Sequence, residues 1–270
     1  MPLIQKESRL PMSSNPVADE EKDRLFVGAL ARGLRVLAAF QPGEGALSNQ
    51  VLAQRTDLPK STVSRLTYTL TKLGYLSQDH DTGYYRLGLA VLALGSTVLG
   101  SYDIRRVASP LMRDFAMQHT ISVSLGMRDG TDIVYLETCR SQARVSVQLT
   151  VGSRVPLAST AIGRACYAIL SPAERAALAP ELAQRYGGDW PAVAARLQAS
   201  GEHYAQYGYS ESFGEFERDV MAVGVALPSP VPGMPVVCLN ASGPAFAFNA
   251  DTMRRQIAPA LMQLARQIVP

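Results

Sequence analysis

Cysteine is scarce in this 270-residue chain: Cys139, Cys166 and Cys238 stand far apart. With no CxxC pair and no even-numbered ladder, they argue against a disulfide framework or a structural zinc site and suit a reducing cytoplasm. Histidine is equally sparse. His80, His119 and His203 fall in unrelated places, without an i+4 partner or an HExxH glutamate, so no metal site and no histidine catalysis are expected. A GxSxG elbow and a GxxxxGK[ST] phosphate loop are both missing, which leaves no catalytic residue and no cofactor motif. No apolar run reaches the roughly 20 residues of a membrane span, and the most apolar stretch, Leu87 to Leu99, is broken by Gly88 and Gly95. Residues 1–23 mix Ser, Pro and charge without an apolar core, so they read as a disordered leader and not as a signal peptide. Lysine is absent after Lys72.

What is present suits a globular chain of two domains, with 47% hydrophobic and 18% charged residues. The positive charge is local. Arg24 to Gly88 carries eight Lys/Arg against four Asp/Glu, whereas Ser109 to Pro270 carries thirteen of each. A basic N-terminal quarter is where phosphates would be met.

The segment Arg24–Phe40 has Leu30, Leu34, Leu37 and Phe40 at helical spacing, with Arg32 and Arg35 opposite, and Gln41–Gly45 stops it. Ser48 is placed to cap a second helix, Asn49–Thr56, with Val51 and Leu52 inward. After Asp57-Leu58-Pro59 the spacing predicts a third helix, Lys60–Leu73, closed by Gly74. Its stripe Val63, Leu66, Leu70 and Leu73 should face a core. The opposite face then holds Lys60, Ser61, Ser64, Arg65, Tyr68 and Lys72, with Thr62 and Thr67 at its flanks. Small hydroxyls and long basic groups on one helix face suit the major groove: arginine can pair with guanine edges, hydroxyls can reach bases or phosphates, and lysine can meet the backbone. Tyr75–Gln78 and Tyr84–Leu87, around a turn at Asp79–Gly83, read as a hairpin, which completes the order of a winged helix-turn-helix over 24–88.

A linker helix is expected over 89–107, ending before Pro110, and an effector domain over 108–270. There the pattern gives a helix Leu111–Gln118, a hairpin through Asp129-Gly130, a strand Val145–Leu149 and a helix Thr160–Leu170. A capping box at Ser171–Glu174 opens another helix, followed by one over Pro191–Gln198. Strand candidates are Tyr207–Ser210, Ala222–Leu227 and Val236–Asn240. A last helix, about Asp251–Ile268, should kink at Pro259. The fold class is α+β, an antiparallel sheet flanked by helices.

Ala31–Leu37, Leu58–Leu66, Leu73–Leu76 and Tyr84–Gly88 resemble the DNA-binding half of the IclR family of transcription regulators. Val155–Ala165 and Asn240–Pro244 resemble that family's effector domain, so the likeness runs from about Phe26 to the C-terminus. The resemblance implies a GAF-like effector domain, a homodimer or dimer of dimers, palindromic operators on double-stranded DNA and a small-molecule effector such as an organic or aromatic acid. It places the effector site at Ala161, Ile162, Gly214 with Glu215, Glu217 and Asp219, Gly224, Asn240 and Ser242. Cys238, on the strand approaching that site, is a further candidate. Some members have a Cys at the position of Gly224 and an Asp near Gly214, so their acid-binding arrangement does not transfer directly. Glu215, Glu217 and Asp219 can pair with Arg218 or Arg154 or face solvent, and the N–H groups near Ala161 can take a carboxylate. The alternative reading is a metabolite-binding or interaction protein whose helix-turn-helix no longer reads DNA.

Overall fold

The computed structural model describes residues 25–41, 43–100, 104–140, 149–227 and 236–269, which separate into two compact units on either side of residues 101–103. The expected leader, and residues 145–148 of the expected strand ending at Leu149, lie outside them. No helix among the described residues is long and apolar enough to cross a membrane.

The N-terminal unit runs α1 (Gly28–Ala38), α2 (Asn49–Thr56), α3 (Lys60–Lys72), β1 (Leu76–Gln78), β2 (Tyr85–Leu87) and α4 (Leu89–Gly100). Val36, Leu52, Val63, Leu76 and Tyr85 form its core. Ser48 caps α2 by accepting the Val51 N–H, and Asp57 ends it in the left-handed region at φ 54°, a conformation a short polar side chain tolerates. Residues 57–59 are thus the whole turn between α2 and α3. Gly74, at φ 77°, closes α3. Gly88 lies against the Gly74 carbonyl, where any Cβ would overlap backbone, and its N–H bonds the Tyr75 oxygen at 2.8 Å. That close approach ties the end of the wing to the end of α3.

Two stripes differ from expectation. In α1 the buried positions are Gly33, Val36 and the following Ala39, while Leu30 and Leu34 are about 60% exposed. Gly33 lies beside Leu66, and the inward side of α1 is the one that carries Gly33, Val36 and Ala39. In α3, Leu73 is exposed and Thr67 takes the buried place instead. Its hydroxyl donates to the Val63 and Ser64 carbonyls, a local bond that lets a threonine sit in the core.

The C-terminal unit is an antiparallel sheet of order β5-β4-β3-β8-β7-β6 flanked by helices. Its strands are β3 (Ser122–Asp129), β4 (Asp132–Cys139), β5 (Arg154–Pro156), β6 (Ser210–Phe213), β7 (Val220–Ala226) and β8 (Val237–Pro244). The helices are α5 (Ile104–His119), α6 (Ala161–Ile169), α7 (Pro172–Tyr186), α8 (Trp190–Tyr207), α9 (Ala250–Thr252) and α10 (Ala258–Ile268). Pro110 does not end a helix, because it sits on the exposed side of α5, where the freed Arg106 carbonyl can meet water. The capping box at Ser171 and Glu174 is formed. Helix α8 runs well past the expected Gln198 and through Gly201, packed on α6, and Tyr204 accepts the Ala226 N–H at 2.9 Å. Tyr207 is therefore its last residue and no strand residue. Ahead of Pro259 the last helix contains a π turn, Met253–Ile257, in which the Ala258 N–H reaches back five residues to Met253, and Pro259 falls in the first turn of α10. The stripe Met253, Ile257, Leu261, Leu264 and Ile268 is buried throughout.

Candidate nucleic-acid interface and small-molecule pocket

The outward face of α3 presents Lys60, Ser61, Ser64, Arg65, Tyr68 and Lys72 to solvent, with Thr62 half-buried at its edge. Within the described residues, Lys60, Arg65 and Lys72 carry no ion pair, so their charges are available to a partner. The Lys72 ammonium lies 5.7 Å from the Tyr68 ring centroid, which gathers both groups at the C-terminal end of the face. Ser64 donates to the Lys60 carbonyl at 3.0 Å and accepts a 2.5 Å bond from Asn49 Nδ2. Asn49, at the start of α2, thus fixes one hydroxyl of the α3 face. Its type and position in a short polar helix gave no sign of this, since the partner is fifteen residues away. Opposite charges brace the unit from behind: Arg55 holds both Glu44 carboxylate oxygens, at 2.6 and 2.7 Å, and the Ala39 carbonyl. At the wing turn, Asp79 accepts from the Thr82 and Asp81 backbone N–H groups and the Thr82 hydroxyl, and these bonds hold its carboxyl below the usual carboxylate range.

The second site is a small, partly open cleft in the C-terminal unit. Its floor follows from strand register. Side chains paired across an antiparallel sheet share a face. One row across four strands is Ser124, Asn240, Gly224 and Ser210; the next is Ser122, Ser242, Ala222 and Ser212. Small side chains along both rows let the start of α6 sit directly on the sheet at Gly224 and Ser210, with the cleft beside it. Thr160 and Ala161 form the wall, while Leu149, Phe216 and Val220 close the side. A β-bulge at Leu125/Gly126 brings Tyr135 and Thr138, three residues apart, onto the same face. Tyr135 thereby reaches Ser124 and Asn240 with its hydroxyl, and burial pushes that hydroxyl well above its ordinary range, so it stays protonated.

Of the residues singled out for an effector, the structure brings Ala161, Asn240 and Ser242 to the cleft. Ile162 lies behind them in a fully buried cluster with Cys166 and Cys238. Cys238 contacts Cys166, and burial raises its thiol far above the usual range. Gly224 is a packing position: an added Cβ would stand 2.5 Å from the Ala161 carbonyl oxygen. Gly214, at φ 75°, makes the turn into β7. Glu217 and Asp219 face solvent. Glu215 pairs with neither Arg218 nor Arg154 but with Arg164 of α6, in a two-pronged contact of 2.6 and 2.5 Å that holds its carboxyl below the usual range. Arg154 is engaged by Asp129 and Asp132. The residue of this acidic segment that enters the cleft is Phe216, which its charged neighbours masked in the sequence.

A compact helix-turn-helix with a β-wing and an exposed basic face, in one chain with an α+β unit, is the architecture of a two-domain transcriptional regulator. Residues 29–80 match the family model described as the IclR helix-turn-helix domain, and residues 96–269 match that of the bacterial transcriptional regulator IclR C-terminal domain. The chain is 34% identical over 251 residues to the HTH-type transcriptional regulator TsaQ1/TsaQ2 of Comamonas testosteroni, covering 92% of this chain and 90% of that one. An IclR-family regulator from Brucella abortus is similar in structure at a TM-score of 0.78 and 39% identity, over 93% of this chain and 95% of that one. An IclR homolog of Microbacterium hydrocarbonoxydans, solved with 4-hydroxybenzoate, shares the fold at a TM-score of 0.71 and 24% identity, over 89% and 97%. The chain belongs to the IclR family of bacterial transcriptional regulators and is a regulator, not an enzyme.

Proposed function

We propose that this regulator binds palindromic operators as a homodimer in the cytoplasm and changes its hold on them when a small organic acid enters the C-terminal cleft. The observation that carries the reading is the exposed face of α3, with three cations unpaired within the described residues and hydroxyls between them. Lys60 and Lys72 are assigned to phosphates, Arg65 to a guanine edge, and Ser61, Thr62, Ser64 and Tyr68 to bases or sugar-phosphate oxygens. Dimerisation draws support from apolar surface in the N-terminal unit. Helix α4 contains no charged residue and buries none of its side chains, and Leu89, Leu92, Leu94 and Val98 are exposed alongside Leu25, Leu30 and Leu34 of the first segment. Exposed apolar side chains in this number suit burial against a partner, and a second copy would also supply the two-fold symmetry that matches a palindrome. In the cleft, the N-terminal end of α6 at Ala161 suits a carboxylate, with Asn240 and Ser242 on the floor.

The test is anisotropy titration of the full chain on DNA from the region beside its own gene, at two salt concentrations, with and without 4-hydroxybenzoate as the probe acid. Specific binding should weaken steeply with salt, and the acid and the DNA should change each other's affinity by the same factor. Absence of sequence-specific binding at low salt would leave the alternative, a metabolite-binding or interaction protein that no longer reads DNA.

A further inference from the structure

Ser64 is exposed on the face of α3, and its hydroxyl is held from two sides. It donates to the Lys60 carbonyl at 3.0 Å, and the amide of Asn49, from the first turn of α2, stands 2.5 Å away. The Lys60 oxygen has a second lone pair for this bond besides the one used within the helix. A hydroxyl has one hydrogen and two lone pairs. With Asn49 Nδ2 toward Ser64, the hydrogen goes to Lys60 and one lone pair to Asn49, which leaves one lone pair for DNA. With the amide turned, Oδ1 takes the hydroxyl hydrogen itself, and only lone pairs are left again. Turning it brings no relief elsewhere, since it exchanges a buried Oδ1 without a partner for a buried Nδ2 in the same place. Both orientations leave Ser64 an acceptor on the surface that is to meet DNA. An acceptor finds few partners on a duplex. Phosphate oxygens, guanine O6 and N7, adenine N7 and thymine O4 are acceptors themselves, whereas the major-groove donors are the amino groups at adenine N6 and cytosine N4. The next residue, Arg65, offers only donors, so the two neighbours differ in hydrogen-bond polarity.

We infer that Asn49 makes Ser64 an acceptor toward DNA, so that the regulator reads an exocyclic amino group, adenine N6 or cytosine N4, at one base pair of its site. This rests on the reading of α3 as the helix that enters the major groove. Ser64 is thereby narrowed from a base or phosphate contact to a base amino group. Asn49, outside the reading helix, is the positioning residue that sets the polarity of the contact.

The experiment is selection of bound duplexes from a random-sequence pool by the full chain, with Ser64→Ala selected in parallel to mark the base pair that it affects. At that pair the amino group is then removed, with purine in place of adenine or 2-pyrimidinone in place of cytosine. A 7-deaza purine in the same pair, which removes an acceptor, is the control. Loss of the amino group should weaken binding by the unsubstituted protein about tenfold and should not weaken Ser64→Ala further. The 7-deaza control should change both proteins by the same factor. Asn49→Ala, checked for folding by its melting curve, frees the hydroxyl to turn and donate, so the penalty for the missing amino group should shrink. Asn49→Asp repels phosphates and should bind every duplex more weakly, yet it takes the hydroxyl hydrogen as Oδ1 does and should keep the penalty. It decides the matter if the alanine variant does not fold, and loss of the penalty there counts against the inference. A structural role alone for Asn49 would weaken all duplexes alike and leave the penalty unchanged in the alanine variant. That result, a site with no base pair that responds to Ser64→Ala, or a response to the missing acceptor in place of the missing amino group overturns the inference while leaving α3 as the reading helix. Selection of no common sequence by the unsubstituted protein counts against α3 as the reading helix and removes the inference with it.

Discussion

Arg164→Leu should lower the stability of the C-terminal unit by about 3 kcal/mol in denaturant unfolding followed by circular dichroism. The arginine is almost fully buried, and its guanidinium donates to the Ala158 carbonyl at 3.0 Å, the Glu211 carbonyl at 2.9 Å and both oxygens of Glu215. Leucine fills much of the volume but leaves two carbonyls and a carboxylate without their donor. Breaking a buried pair by removing one partner costs about 3–5 kcal/mol; Glu215 is one-third exposed and can rehydrate, which places the loss at the low end. The pH dependence has a definite sign. Arg164 depresses the folded-state pKa of Glu215 below its ordinary 4.5. The contribution is thus complete above that value and fades as pH falls through the depressed folded value. The gap between the two proteins should narrow in acid. A gap that persists undiminished to pH 3 would show that the ion pair contributes nothing.

Gly224→Ala should cost about 2–3 kcal/mol and weaken acid binding at the same time. An alanine Cβ would stand 2.5 Å from the Ala161 oxygen, 2.6 Å from its carbonyl carbon and 2.9 Å from the Ile162 nitrogen. All three are backbone atoms of the first turn of α6, so no side chain can swing aside and the helix must shift off the sheet. Overpacking of this kind costs about 1–3 kcal/mol, with rigid backbone on both sides pointing to the upper part. Because that turn also forms the cleft wall, the titration with 4-hydroxybenzoate should weaken along with the melting temperature. A variant that melts with the unsubstituted protein would mean the contact is not tight.

The two halves differ in how far their chemistry could be read from residue order. Helices α2 and α3, the Ser48 cap, the Gly74 closure and the wing depend on contacts within a few residues, and local spacing reports such contacts well. The α1 stripe could not be read this way. Hydrophobic periodicity assumes that the large residues face inward, whereas here Gly33, Val36 and Ala39 are buried and Leu30 and Leu34 are left exposed. The cleft is non-local throughout. Its floor is written as period-two pairs, Ser122/Ser124, Ser210/Ser212, Ala222/Gly224 and Asn240/Ser242, but only strand register turns four short pairs into two continuous rows. Family resemblance supplied Asn240 and Ser242 without showing why they matter. The Arg164–Glu215 pair spans 51 positions, and the bulge that aims Tyr135 at Asn240 leaves no mark in composition. Phe216 stood out least of all, an aromatic among Glu215, Glu217 and Asp219.

Operator affinity of Arg65→Ala and Lys72→Ala, measured side by side across a salt series on the operator and on unrelated DNA, tests the assignment of the α3 face most directly. Arg65→Ala should lose about 1–3 kcal/mol on the operator and little on unrelated DNA, because a bidentate arginine reads a base. Lys72→Ala should weaken both DNAs alike and reduce the salt slope by about one, as a phosphate contact does. Folded variants that bind the operator as tightly as the unsubstituted protein, with an unchanged salt slope, would contradict α3 as the helix that reads DNA.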